Sequence, residues 1–187
     1  MYTLFIDTHY KDILLILYKD NSLLDKLFIK DIKSTSIETM PAIIKLLDNN
    51  KLSINDINKI AVVKGPGSFT GVRLGVTIAK TLAYTLSIPI VSLTSIDLIG
   101  INLDEPKYVS IKEQNGAFIC FYDETKEIKY MKKSEYEEFI KNNEVIEELD
   151  IDYQKLINYI NTLKEEVSHN VNPLYIKSIE ALDDKKN

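Results

Sequence analysis

Four of the six glycines of this 187-residue chain fall in one short stretch, Lys64-Gly65-Pro66-Gly67-Ser68-Phe69-Thr70-Gly71-Val72-Arg73-Leu74-Gly75. Glycine is needed where φ is positive or where another backbone or a ligand must come close, so this stretch limits what can surround it. Ahead of it, residues 59–63 (Lys-Ile-Ala-Val-Val) read as a short buried strand. Behind it, residues 70–86 read as a helix, with Ser68 or Thr70 available as N-cap. A strand, a tight turn and a helix N-terminus in that order present free backbone N–H groups at one spot. Arg73 is the single arginine among 23 Lys and Arg, and its flat fork of donors suits a bidentate contact that an ammonium cannot make. The same residues also fit a glycine turn that merely ends a strand, with an incidental arginine.

The pattern around this stretch predicts an α/β fold. Apolar runs at 3–6, 13–18 and 23–29 are separated by links of hairpin length, His9-Tyr10-Lys11-Asp12 and Lys19-Asp20-Asn21-Ser22. They read as a three-strand antiparallel meander. Asp7 sits at the mouth of the first hairpin, where a carboxylate either caps a turn or faces a ligand. Ser34-Thr35-Ser36 then offers capping hydroxyls, and Ile37, Met40, Ile43, Ile44 and Leu47 follow at helical spacing. Pro41 falls inside that pattern, so the helix begins near it or bends there. The helix after the glycine stretch has two apolar stripes, Val72/Val76/Ala79/Ala83 and Ile78/Leu82/Leu86, and so needs cover on two sides. That cover is either the rest of this chain or another one. Residues 89–93 read as a fifth strand, and Thr94-Ser95 caps a short helix to Gly100. The first hundred residues thus run β-β-β-α-β-α-β-α, a mixed five-stranded sheet with helices on its faces.

Composition turns polar at Asp104-Glu105-Pro106, which divides the chain into 1–103 and a shortened 104–187. The second part has strand-like runs at 108–111, 117–122 and 128–131, then acidic helical segments at 134–141 and 153–166. Residues 172–176 form a last extended piece, and 183–187 a solvated tail. The formal net charge of −5 argues against a free-standing nucleic-acid binder, which needs a concentrated basic face. The single cysteine, Cys120, lies in an apolar run and reads as a core residue in a reducing compartment. Met1-Tyr2-Thr3-Leu4-Phe5-Ile6-Asp7 lacks the basic start of a signal peptide, and no apolar run reaches membrane-spanning length. The cytoplasm is the expected location.

No catalytic set stands out. The glycine stretch lacks the Gly-Lys-Ser/Thr of a Walker A loop and the acidic residue of a dinucleotide fingerprint. The only histidines, His9 and His169, lack metal-site spacing. Pairs such as Glu137-Glu138 and Glu147-Glu148 read as solvated charge.

The glycine stretch, continued by Ala79-Lys80-Thr81-Leu82-Ala83 and Ile88-Pro89-Ile90-Val91-Ser92-Leu93-Thr94-Ser95, closely resembles the TsaB (YeaZ) family, subunits of tRNA threonylcarbamoyladenosine biosynthesis. Phe5-Ile6-Asp7-Thr8 is similar to that family's opening Leu-Asp-Thr-Ser, with His9 in place of the serine. Pro173-Leu174-Tyr175-Ile176 resembles its closing Pro-x-Tyr-Leu. Where the family carries an Asp-Ala-Arg-type segment, this chain reads Lys112-Glu113-Gln114-Asn115-Gly116. The resemblance implies a two-lobed actin-like ATPase, or ribonuclease H-like, fold with a reduced second lobe. It implies a non-catalytic scaffold that pairs with a paralogue, TsaD, which holds the metal and modifies tRNA, with an ATPase, TsaE, joining them. Alone, such a chain would form a homodimer. The implied interface comprises Ile37, Met40, Ile44, Leu47, Phe69, Val72, Arg73, Val76 and Lys80. Nucleotide contact, with ATP or ADP at the partner interface, would fall to Asp7, Thr8, Gly65, Pro66, Gly67, Ser68, Thr70 and Gly71. The alternative is a stand-alone nucleotide-binding enzyme using Asp7 and the glycine loop.

Overall fold

The computed structural model describes residues 1–176; the expected tail at 183–187 lies outside them. The first three strands, β1 (Tyr2–Asp7), β2 (Ile13–Lys19) and β3 (Ser22–Ile29), form the antiparallel meander. Helix α1 (Thr35–Asn49) crosses over to β4 (Lys59–Val63), which lies parallel to β1 with Ile6 opposite Val62. Helix α2 (Phe69–Leu86) crosses in the same way to β5 (Ile90–Leu93), parallel to β4. The sheet order is β3-β2-β1-β4-β5. β2, β4 and β5 are near-continuous apolar runs because both faces of the sheet are covered, whereas the edge strand β3 alternates.

The strand period of two splits the core. Leu4, Ile6, Leu15, Leu17, Ile60 and Val62 point to one face, where Ile43, Leu46 and Leu47 of α1 and Val72, Val76, Ala79 and Ala83 of α2 cover them. Phe5, Ile16, Tyr18, Ala61, Val63 and Leu93 point to the other. Pro41 neither starts nor ends α1, which begins six residues earlier at Thr35. The buried row Thr39, Ala42, Ile43, Leu46 and Leu47 holds the helix to the sheet, and packing of that row outweighs the local proline cost of about 3 kcal/mol.

After the short α3 (Ser95–Gly100) comes the second lobe. It is built on β6 (Tyr108–Glu113), β7 (Gly116–Phe121), β8 (Lys129–Lys132) and β9 (Val145–Ile146), in the order β8-β7-β6-β9. Helix α4 (Lys133–Asn142) covers one face through Tyr136 and Phe139, while Ile96 and Ile99 of α3 meet Val109, Ile111 and Phe118 on the other.

The expected boundary near 104 falls between the two sheets, but the chain beyond it does not stay with the second one throughout. Helix α5 (Tyr153–Thr162) returns to the first sheet, where Leu156, Ile157 and Ile160 cover Phe5, Ile16 and Ala61. It also stops four residues short of the expected 166. Beyond it the chain turns extended so that the Glu166 amide donates to the Ile90 carbonyl at 2.8 Å, closing the open edge of β5. The Leu174 amide then donates to the Lys64 carbonyl, also at 2.8 Å. Among the described residues, no helix is long and apolar enough to cross a membrane.

Candidate functional site

The glycine loop joins β4 to α2, and Ser68 is the N-cap, its hydroxyl accepting from the Gly71 amide at 3.4 Å. The loop is tied down on both sides. The Ser95 amide donates to the Gly65 carbonyl at 3.0 Å and the Ser95 hydroxyl to the Pro66 carbonyl at 2.5 Å. From β1 comes the turn that begins at Asp7. The His9 carbonyl accepts from the Ser68 amide at 2.7 Å, and the Thr8 hydroxyl donates to the Gly71 carbonyl at 2.7 Å.

This arrangement explains why α2 needs glycine at position 71 and is crowded at position 75. A Cβ on Gly71 would overlap the Thr8 carbonyl oxygen, and one on Gly75 would overlap the Thr8 hydroxyl. Thr8, Gly65, Pro66 and Gly71 are accordingly buried. The expected cluster of free N–H groups is therefore partly spent within the chain: Ser68 gives its amide to His9, Gly71 to Ser68 Oγ and Val72 to the Ser68 carbonyl. Gly67, Gly71 and Gly75 are accounted for by the first hairpin turn, whereas Gly65 stands at a φ of +99° beside Val72. Ser68 and Thr70 remain exposed and Gly67 half-buried.

The docking residues separate into two groups. Leu47, Val72 and Val76 belong to the core between helices and sheet, which corrects their placement on an interface. The stripe they form is the one that the sheet covers, and Ile78 and Leu82 are half-buried against the same core. Ile37 (68% exposed), Met40 (37%) and Ile44 (53%) instead line the outer face of α1, at a spacing that stacks them in one row. Phe69 is 59% exposed in the first turn of α2. The Arg73 guanidinium lies 3.6 Å from the Phe69 ring centroid, and its Nε donates to the Tyr175 hydroxyl at 2.8 Å. The partner of Arg73 is thus an aromatic pair, the second half of which comes from the closing Pro-Leu-Tyr-Ile. Lys80 donates to the His169 carbonyl at 3.1 Å, so it fastens the returning chain.

Two groupings escape a reading of sequence alone. Asp7 and His9 form a buried pair, with Oδ1 2.6 Å from Nδ1 and the His9 amide donating to the same oxygen at 2.9 Å. Their spacing of two within a turn is the signal that could have revealed it. The second is a knot around Asp97 of α3. Its Oδ1 accepts from Lys126 at 3.0 Å, Tyr159 at 2.9 Å and Tyr122 at 3.2 Å. These partners lie in the second lobe and in α5, so no sequence spacing announces the group. Burial pushes the Asp97 carboxyl up, but the Thr94 hydroxyl and amide and the Lys126 ammonium together hold it below the ordinary range.

Comparison with known proteins agrees with this architecture. The family model described as TsaD, tRNA N6-adenosine threonylcarbamoyltransferase, matches residues 32–158. The chain belongs to the TsaD family.

Within the TsaD family its similarity runs to proteins named TsaB. The Bacillus subtilis tRNA threonylcarbamoyladenosine biosynthesis protein TsaB is 49% identical over 70 residues, covering 37% of this chain and 31% of that protein. The Clostridioides difficile tRNA N6-adenosine threonylcarbamoyltransferase is 45% identical over 51 residues, covering 27% of this chain and 15% of the other. The first of these matches spans about a third of the relative's length. YeaZ from Pseudomonas aeruginosa superposes with a TM-score of 0.71 at 14% identity, covering 93% of this chain and 99% of that one. At that identity the likeness speaks for the fold, mixed sheet and second lobe included.

Proposed function

We propose that this TsaD-family chain is a non-catalytic subunit of a tRNA threonylcarbamoyladenosine-modifying complex, and that it docks on a catalytic TsaD paralogue through α1 and the first turn of α2. The observation that carries the reading is the row Ile37, Met40 and Ile44, apolar and uncovered by the chain itself. Such a patch seeks cover, and Phe69 with the stacked Arg73 adds the aromatic and guanidinium groups that dominate interface energetics. Two copies could use the same row when the paralogue is absent. The names of the relatives, TsaB and threonylcarbamoyltransferase, support the pathway. The two histidines, His9 and His169, lie far apart and lack the His-x-x-x-His of a metal-holding paralogue, which supports a scaffold role. TsaE, and tRNA held through the complex in the cytoplasm, complete the reading. Any ATP or ADP would sit at the partner interface, since the space beside Gly67, Gly71 and Gly75 is already filled by Thr8 and His9.

The test is to mix the chain with a TsaD paralogue and size the product by light scattering after gel filtration. A heterodimer is expected. Ile44→Glu should weaken it by about 2 kcal/mol, roughly thirtyfold, while leaving the thermal midpoint of the isolated chain unchanged. A parent chain that stays apart from the paralogue overturns the proposal. So does an Ile44→Glu variant that binds as the parent does.

A further inference from the structure

Charge on this chain is sorted by face. A cleft of about 630 Å3 opens between the Asp7–Asp12 turn and segment 147–151, on the side of the first sheet away from α1 and α2, and Asp12, Asp31, Glu148 and Asp150 are in its lining. The stretch that holds the glycine loop and α2 is the reverse. Residues 57–96 contain Lys59, Lys64, Arg73 and Lys80 and no Asp or Glu, in a chain of formal net charge −5. Lys59 meets Glu165 at 3.4 Å, and Lys80 gives a hydrogen bond to the His169 carbonyl at 3.1 Å, so both act within the chain. Arg73 differs: among the described residues no carboxylate pairs with it.

The Arg73 side chain is nevertheless fixed in place. Its guanidinium carbon lies 3.6 Å from the Phe69 ring centroid and 5.5 Å from that of Tyr175, and Nε donates to the Tyr175 hydroxyl at 2.8 Å. The two rings stand 6.2 Å apart, and each is 59% exposed. A guanidinium has five N–H donors. One is used here, and the four on the two Nη atoms have no partner among the described residues. A long side chain already held in one geometry loses little further freedom when it binds. Arginine with exposed aromatic rings is also the composition that carries binding energy at interfaces. The planar group that matches such a fork with two parallel hydrogen bonds is a carboxylate.

We infer that Arg73 takes a side-chain carboxylate of the docked paralogue on its two Nη groups, with Phe69 and Tyr175 holding the fork in register. The inference rests on the docking role proposed above, and it adds the charge that the partner must present: an Asp or Glu opposite the first turn of α2. The acid-free stretch around Arg73 offers that carboxylate no repulsion and no rival. Tyr175 acts through Arg73 and is a positioning residue, so the returning chain at 172–175 joins α1 and α2 in building the docking surface.

The experiment measures the dissociation constant of the full chain with a TsaD paralogue by calorimetry, at low and at raised ionic strength. Arg73→Met should weaken the heterodimer about tenfold at low ionic strength, and by less at high, where the pair is screened. Tyr175→Phe keeps the ring and loses the bond to Nε. It should weaken the heterodimer about threefold in the parent, and leave it unchanged on top of Arg73→Met. Surface Asp and Glu residues of the paralogue are then changed singly to Asn and Gln. One of these changes should cost as much as Arg73→Met, and the two together no more than either alone. A heterodimer in which no acidic residue couples to Arg73, or in which Arg73→Met binds as the parent does, overturns the inference and leaves the docking role standing. Absence of any heterodimer overturns both. Arg73→Met and Tyr175→Phe lose the same internal bond, so the isolated variants should share one thermal midpoint. A much lower midpoint for Arg73→Met would mean that the guanidinium serves the chain's own fold, and that too overturns the inference.

Discussion

Replacing glycine by alanine inside a helix ordinarily stabilises a protein by about 1 kcal/mol. At Gly71 the structure reverses the sign. The new methyl would overlap the Thr8 carbonyl oxygen, a backbone atom that cannot swing aside. The first hairpin turn must therefore lift. Lifting breaks the bond from the Thr8 hydroxyl to the Gly71 carbonyl and that from the Ser68 amide to the His9 carbonyl, each contributing about 1 kcal/mol. Overpacking itself costs about 1–3 kcal/mol. Net of the propensity gain, Gly71→Ala should destabilise by about 2–4 kcal/mol. Gly75→Ala is the control, because its methyl meets only the Thr8 hydroxyl. That group can rotate away for one lost hydrogen bond, so the change should lie within about 1 kcal/mol of zero. Urea unfolding followed by far-UV dichroism measures both, with the slope checked for constancy. A Gly71→Ala chain as stable as the parent would refute the account of the loop as a joint filled by Thr8 and His9. Equal losses at both positions would do the same.

The remaining expectations are shorter. The Asp97 carboxyl titrates below its unfolded value, so its contribution is present above about pH 4 and is lost as pH falls through the folded value. Asp97→Asn should therefore cost stability at pH 7, about 1–2 kcal/mol with Lys126 partly solvated, and the gap to the parent should narrow in acid unfolding as the pH drops below the ordinary carboxylate range. Burial pushes the Cys120 thiol up to about 11, with Asp123 adding to it. The native chain should therefore resist iodoacetamide at pH 8 and react on unfolding, and fast native labelling would contradict its packing. Arg73→Lys keeps the charge but loses the flat stack on Phe69 and the Nε bond to Tyr175. It should weaken pairing with a TsaD paralogue by about 0.5–1 kcal/mol, read from the same sizing titration.

How much of this was legible in the residues depends on which atoms hold each part together. The first sheet and its two crossover helices could be read because their side chains record burial directly: runs such as Ile13 to Leu17 are apolar on both faces, and Val72, Val76, Ala79 and Ala83 mark one stripe. The course of α5 could not. Leu156, Ile157 and Ile160 announce a buried stripe but not which sheet it covers, and a polar boundary at Asp104 drew it into the wrong lobe. Strand β9, two residues long, carries no period at all. The filling of the glycine loop was hidden for a different reason. It is made by the carbonyls of Thr8 and His9, and every residue has a carbonyl. The same loss of side-chain signal explains why Leu47, Val72 and Val76 looked like partner surface: an apolar stripe is the same whether its own sheet or another chain covers it.

The alternation that divides the core also decides whether the two surfaces can interfere. Leu4, Ile6 and Val62 point toward α1 and α2, while Phe5, Leu14 and Val63 point toward α5 and the cleft. The outer row of α1 and the cleft lined by Asp7 and His9 thus stand on opposite faces of one five-stranded sheet, with no residue in common. The route between them is the Thr8–His9 turn, which packs on the first turn of α2 through one backbone bond and one hydroxyl. Coupling between two surfaces needs an element with two arrangements that both surfaces bias. A charge placed on the outer row, as in Ile44→Glu, should therefore leave the 15N resonances of the His9 imidazole where the parent has them. Movement of those resonances would mean that the turn has two positions on α2, and that the two faces are one device.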